Sequence, residues 1–176
     1  MSSFAAIARD LGITRQAVHR RFRDLAAADT PLVTAPEVRR LLQHAREESA
    51  ARGAGNLGSE HVVLALLRES DLGAAVVLRA EGATLERARS HVEGASPRSK
   101  LFRRESAGGD LRTLLEAPAH HARARGARRI EVEDLLLGSL ADPAGGAYRT
   151  LTALGVDVDG VRRHLEARLG ARLRRS

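Results

Sequence analysis

Between Ile7 and Phe22 the chain reads IARDLGITRQAVHRRF, a stretch whose polar side chains have the chemistry to read base edges and phosphates. Ala8, Gly12 and Val18 stand at helix-turn-helix spacing, with Ile7, Leu11 and Ile13 available to pack two short helices and Gly12 to permit the turn. Thr14 is placed to cap the second helix, which then carries Arg15, Gln16, His19 and Arg20 on one outward face, with Arg21 alongside. Arginine forks suit guanine and phosphate, and a Gln amide suits adenine, so the spacing predicts a recognition helix in the major groove of double-stranded DNA. Only three residues precede Phe4, so the motif needs the rest of the chain or a second copy to complete its core, and a homodimer on paired half-sites is expected. The alternative is an amphipathic hairpin that docks on a protein.

Two glutamates offer a different chemistry. Glu60 follows Ser59 at the head of the apolar run VVLALL, and Glu133 stands at the head of LLLGSL. Taken alone, an acid in the first helical turn complements the positive end of the helix dipole, worth about 0.3 to 1 kcal/mol.

Catalysis and metal binding find less support. His120 and His121 are adjacent and therefore face different ways on a helix, His91 and His164 fall near helix ends, and no histidine forms an i, i+4 pair with a carboxylate ligand set. There is no cysteine, no nucleophile, base and orienter set emerges, and G-x-x-x-x-G-K-[ST] does not occur. The chain is expected to be a non-enzyme with no metal and no cofactor, and not an ATP-driven motor.

The elements that position these residues come from a duplication. Shifting the chain by about 73 residues lays the segment from Leu41 over the segment from Leu114 without a gap. Gly53 then meets Gly126, Glu60 meets Glu133, Leu67 meets Leu140, Gly73 meets Gly146, Gly82 meets Gly155 and His91 meets His164. Each copy reads as four helices. The first starts at Pro36 and ends at a Gly C-cap, Ser59 caps the second, the third ends at Gly82, and Thr84 or its counterpart Asp157 caps the fourth. Pro118 lies inside the first helix of the second copy and predicts a kink or a late start there.

Apolar residues make up 43% but aromatics only 2%, so the core must be aliphatic side chains on helix faces. The fold class is all-α: two tandem four-helix repeats with pseudo-two-fold symmetry behind a short helix-turn-helix. The expected boundaries are 1–28 for the helix-turn-helix and 29–176 for the double repeat domain. Within the latter, repeat one spans 34–94, a Gly, Ser and charge-rich linker spans 95–109, and repeat two spans 110–170.

With LGSEHVVLALL and its copy IEVEDLLLGSL in register, the body from Thr34 to about Arg168 resembles the N-terminal Clp repeat domain of Clp-type AAA+ unfoldases. Leu57, Gly58, Ser59, Glu60 and His61 fit that family's pattern fully, whereas Ile130 to Asp134 lose the Gly, the hydroxyl and the His. The resemblance implies recognition of Clp clients, adaptors or arginine-phosphorylated protein, with Glu60 and Glu133 taking the guanidinium. A carboxylate matches a planar fork of donors, while N–H groups at a helix start suit the phosphate. Family domains often carry a Thr just before the first helix. Here Ala35 fills that place and Thr34 lies one residue earlier, so the resemblance implies Thr34, Glu60 and Glu133 as the ligand-binding residues.

The formal charge of +7 is almost all arginine, since Lys100 is the single lysine, and it favours acidic partners or reflects arginine-rich codon usage. No run of about 18 apolar residues occurs and the start lacks a leader pattern, so a cytoplasmic protein without membrane contact is expected. Fusing the two motifs suggests a DNA-binding transcriptional regulator with a Clp-like sensory half. The alternative is a non-DNA-binding adaptor or interaction protein of the Clp protease system.

Overall fold

The computed structural model describes residues 32–54, 56–69, 71–95 and 111–173. The helix-turn-helix expectation, with Thr14, Arg15, Gln16, His19, Arg20 and Arg21, lies outside these residues.

Repeat one folds into α1 (Pro36–Ala51), α2 (Ser59–Arg68), α3 (Gly73–Ala80) and α4 (Leu85–Ala95). Repeat two folds into α5 (Leu111–Ala124), α6 (Val132–Ser139), α7 (Gly146–Ala153) and α8 (Val158–Leu173). The second, third and fourth helices start 73 positions apart in the two repeats, the displacement found in the sequence. Their stops coincide as well. Gly53 and Gly126 take φ of 62° and 72°, and Gly82 and Gly155 take 82° and 80°, left-handed values that a Cβ would strain.

The caps agree with the sequence at both fourth helices, where Thr84 Oγ1 accepts from the Arg87 N–H at 3.3 Å and Asp157 Oδ1 accepts from the Gly160 N–H at 3.0 Å. They differ at α2. Its N-cap is Gly58, not Ser59, and the capping box is closed by His61, whose Nδ1 accepts the Gly58 N–H at 3.0 Å. In α6 the aspartate at the same position does the same work, Asp134 Oδ2 accepting the Glu131 N–H at 2.8 Å. The Gly, Ser and His lost from the second motif are therefore not a lost helix start.

Pro118 does not break α5, which runs on to Ala124. The proline removes one backbone donor to the Leu114 carbonyl. Its ring is buried against Gly138 of α6, where a Cβ would collide with it, so the two helices pack closely at this point.

The core lies between the second helices. His61 to Leu67 of α2 and Val132 to Leu137 of α6 are all buried, a periodicity too wide for a one-sided helix and typical of one surrounded by others. The repeats interlock. The second helix of each packs on the third helix of the other, α2 on α7 and α6 on α3. A parallel pairing of Val33–Thr34 with Arg129–Ile130, β1 and β2, ties the entry of repeat one to the segment leading into α6. Leu64, Leu66, Leu135, Leu136 and Leu140 are fully enclosed, each contributing about 1.5 to 3 kcal/mol through burial.

Candidate functional site

The interlock brings the first turn of one repeat's second helix against the first turn of the other's third helix, and this happens twice. At the first junction Ser59 Oγ accepts the Ala147 N–H at 3.0 Å, so the hydroxyl that fails to cap its own helix caps α7 instead. The carboxylate of Glu60 lies directly over Gly146 and also covers Gly58, and a Cβ at either glycine would overlap it.

Glu60 has no cation to neutralise it among the described residues. Among the described residues its ion-pair contact is with His61, whose Nδ1 stands 3.4 Å from Oε1. That nitrogen already accepts the Gly58 N–H and so carries no proton. Burial holds the His61 pKa below its ordinary value, more than the Glu60 charge raises it. The pair is thus a carboxylate beside a neutral imidazole, and 28% of the Glu60 side chain still meets solvent. The positive ends of α2 and α7 converge on it.

The second junction has the same parts arranged to another effect. Glu133 is only 2% exposed and faces α8, where Arg168 Nε stands 3.5 Å from Oε1 and Arg172 Nη1 stands 3.8 Å from Oε2. The Arg168 guanidinium rests on Gly73, the counterpart of Gly146, so closely that a Cβ there would overlap it. No donor among the described residues reaches Glu133 Oε2 within hydrogen-bond distance. Arg172 makes its own hydrogen bond to Glu131 Oε2 at 3.0 Å. In the 73-residue register Arg168 falls on Ala95, so repeat one has no arginine at this place.

Thr34, the candidate ligand-binding hydroxyl, lies in β1. Its backbone sits opposite Ile130 in the strand pairing, and among the described residues no hydrogen bond joins its hydroxyl to Glu60 or Glu133. Sequence reasoning missed Arg168, Gly146 and Gly73, all contributed by the opposite repeat or by the last helix. The signal available was the glycine pair itself, since both stand at the first position of a helix where a glycine is otherwise unhelpful.

A wider depression of about 560 Å³ lies between α1 and α4, lined by Glu47, Glu48, Arg52, Arg68, Arg89 and Glu93. Its charges satisfy one another. Glu48 receives Arg52 at 2.7 Å and Arg89 at 2.5 Å, and Arg68 bonds Glu47 at 2.7 Å. Burial pushes the Glu48 carboxyl up, but the hydrogen bonds from Arg89 and Arg52 outweigh it and leave the pKa lowered. This is a structural ion network, with Arg89 correspondingly raised by Glu48.

Comparison with known proteins shows the family. Residues 34–140 and 110–173 match the sequence profile of the Clp repeat (R) N-terminal domain. The Bacillus subtilis protein "Negative regulator of genetic competence ClpC/MecB" is 30% identical over 133 residues, covering 75% of this chain and 16% of that protein. Rice "Chaperone protein ClpC1, chloroplastic" is 34% identical over 125 residues, covering 70% of this chain and 14% of that protein. The chain thus spans about one-sixth of the length of these relatives. The crystal structure of the N-terminal domain of the caseinolytic protease associated chaperone ClpD from Arabidopsis thaliana superposes with a TM-score of 0.65 at 19% identity, covering 78% of this chain and 94% of that one, a likeness of fold.

These matches correct the DNA-binding regulator expected from the sequence, because they set the described body among Clp N-terminal domains. Helix-turn-helix spacing is also the spacing of any pair of short amphipathic helices, and an arginine-rich chain loads such a pair with donors by composition. The homodimer rested on completing that reading head and loses its support with it. Among the described residues no helix is long and apolar enough to cross a membrane.

Proposed function

This chain belongs to the Clp repeat (R) N-terminal domain family, and we propose that it is an interaction module of the Clp system that receives an arginine-bearing segment of a client or adaptor at Glu60. It works by binding, without chemistry of its own. The ligand's guanidinium meets the solvent-facing edge of the Glu60 carboxylate where it rests on Gly146, and a phosphate on that guanidinium turns to the converging helix ends of α2 and α7.

One observation carries the reading. At the pseudo-equivalent junction the chain itself sets a guanidinium, that of Arg168, between Glu133 and Gly73. Glu60 and Gly146 repeat the carboxylate and the glycine, and repeat one carries Ala95 where repeat two has the arginine. Internal symmetry therefore sets a carboxylate that meets a guanidinium beside one that meets none among the described residues, with the Glu60 carboxylate itself resting on the glycine that Arg168 covers in repeat two. A half-exposed carboxylate at a glycine-floored junction binds a fork of donors better than a point charge, because two parallel N–H bonds form at once.

Fluorescence anisotropy with a labelled peptide, prepared with its arginine phosphorylated and unphosphorylated, tests this. Binding of the phosphorylated peptide should weaken about 10- to 150-fold in Glu60→Gln, the loss of a charge-assisted contact of roughly 1.5 to 3 kcal/mol. Equal affinity in wild type and variant would rule Glu60 out as the receiving group.

A further inference from the structure

The two junctions are not two copies of one working site. We propose that the junction of repeat two is a guanidinium pocket kept closed by the chain's own Arg168, backed by Arg172, so that the domain takes one arginine ligand where its duplication provides two places. The proposal rests on the guanidinium reading of Glu60 and adds to it a stoichiometry and the residue that sets it.

The fit of Arg168 is that of an occupant. Its guanidinium covers Gly73, and its Nε approaches Glu133 Oε1 only to 3.5 Å, at the long limit of a hydrogen bond. Glu133 Oε2, buried and without a donor in reach, is left to the more distant Arg172. A carboxylate built purely as a structural ion-pair partner would be held as Asp134 is, by Arg125 at 3.0 and 2.5 Å and by a backbone N–H at 2.8 Å. Arg168 is meanwhile 45% exposed on the surface of α8, free to swing out without unpacking the core. Leu165 and Leu169, buried next to Arg168 on α8, hold that helix on the body. Glu133 is therefore under-satisfied by its present neighbours, and an incoming ligand that offers two N–H groups at once would satisfy it better, provided Arg168 is out of the way.

Calorimetric titration with free phosphoarginine decides this, using Arg168→Gln and Arg168→Gln with Arg172→Gln beside wild type. Arg172 stays as counter-charge in the first variant, which protects the fold, and thermal melts report on both. Wild type should bind one equivalent and lose it in Glu60→Gln. At least one arginine variant should bind two, and adding Glu133→Gln to it should return the count to one. Two equivalents on wild type, or one on wild type and both folded variants, would overturn the plug. The second of these results would leave the Glu60 reading intact. No binding to wild type but one Glu133-dependent equivalent on a variant would support the plug while removing Glu60. No binding to any of them would remove both.

Discussion

The Glu60 carboxylate lies over the first residue of α7, Gly146, at a separation that leaves no room for a Cβ between them. Gly146→Ala should accordingly push the Glu60 side chain off its seat. The displaced group is the flexible end of a side chain and the substituted position is helical, so the fold should be unharmed or up to about 1 kcal/mol more stable. Ligand affinity should fall about tenfold or more. Urea melts and anisotropy on the same protein would show the two effects with opposite sign, whereas loss of both together would mean that the glycine serves packing only.

Ser59 offers a separation of another kind. Its hydroxyl caps α7 across the repeat interface, through the Ala147 N–H. Ser59→Ala should cost about 1 kcal/mol, the usual worth of a cap, and the loss should appear as faster amide exchange at the start of α7 rather than of α2. Faster exchange confined to residues 59–62 would restore Ser59 to its own helix.

Glu48 is buried between Arg52 and Arg89, and Arg52 itself is only 9% exposed. Removing the carboxylate leaves a buried guanidinium with Glu93 at 3.5 Å as its remaining ion-pair partner, so Glu48→Ala should destabilise by about 3 kcal/mol. Because the Glu48 pKa is lowered from 4.5 in the folded state, its contribution is complete above that value and is lost as pH falls through the folded one. The wild-type advantage over Glu48→Ala in denaturant melts should shrink between pH 5 and pH 3. An advantage that is flat with pH would place the charge outside the stabilising network.

His61 titrates in a different window. Burial lowers its folded pKa below 6.5, so the unfolded chain takes up a proton first and stability should decline as pH drops below about 6.5. Glu60 and Glu48 act against this shift, and Arg52 reinforces it. His61→Asn keeps an acceptor for the Gly58 N–H and removes the titration. Melting midpoints from pH 7.5 to 5.5 should fall less steeply in the variant than in wild type, and parallel slopes would show that His61 takes up its proton equally in the folded and unfolded chain.

The helices were legible in sequence because the duplication is local information repeated. Paired glycines, Thr84 and Asp157 report on backbone geometry within a few residues of themselves, and a 73-residue shift aligns them without any knowledge of packing. The aliphatic pattern likewise announced α2 and α6. What could not be read is what reaches across. Ser59 bonds a residue 88 positions away, and Arg168 meets a glutamate 35 positions away. A capping hydroxyl and a basic tail look the same in sequence whichever helix they serve. Glu60 and Glu133 stand in register, and the sequence sets them apart only by the Gly58, Ser59 and His61 context that Glu60 keeps, whereas the placement of α8 is what leaves one carboxylate open and covers the other. The N-terminal motif misled for the converse reason, since its spacing describes two packed helices and says nothing of what they touch.

The most direct measurement is an amide NMR titration of the isotopically labelled chain with phosphoarginine, because it locates the ligand without presuming which residue holds it. The account predicts that Gly58, Ser59, Glu60, Gly145, Gly146 and Ala147 shift together along one saturable curve, with Gly73 and Glu133 unmoved in wild type. Saturable shifts centred on Gly73 and Glu133, or no saturable shifts at all, would contradict it.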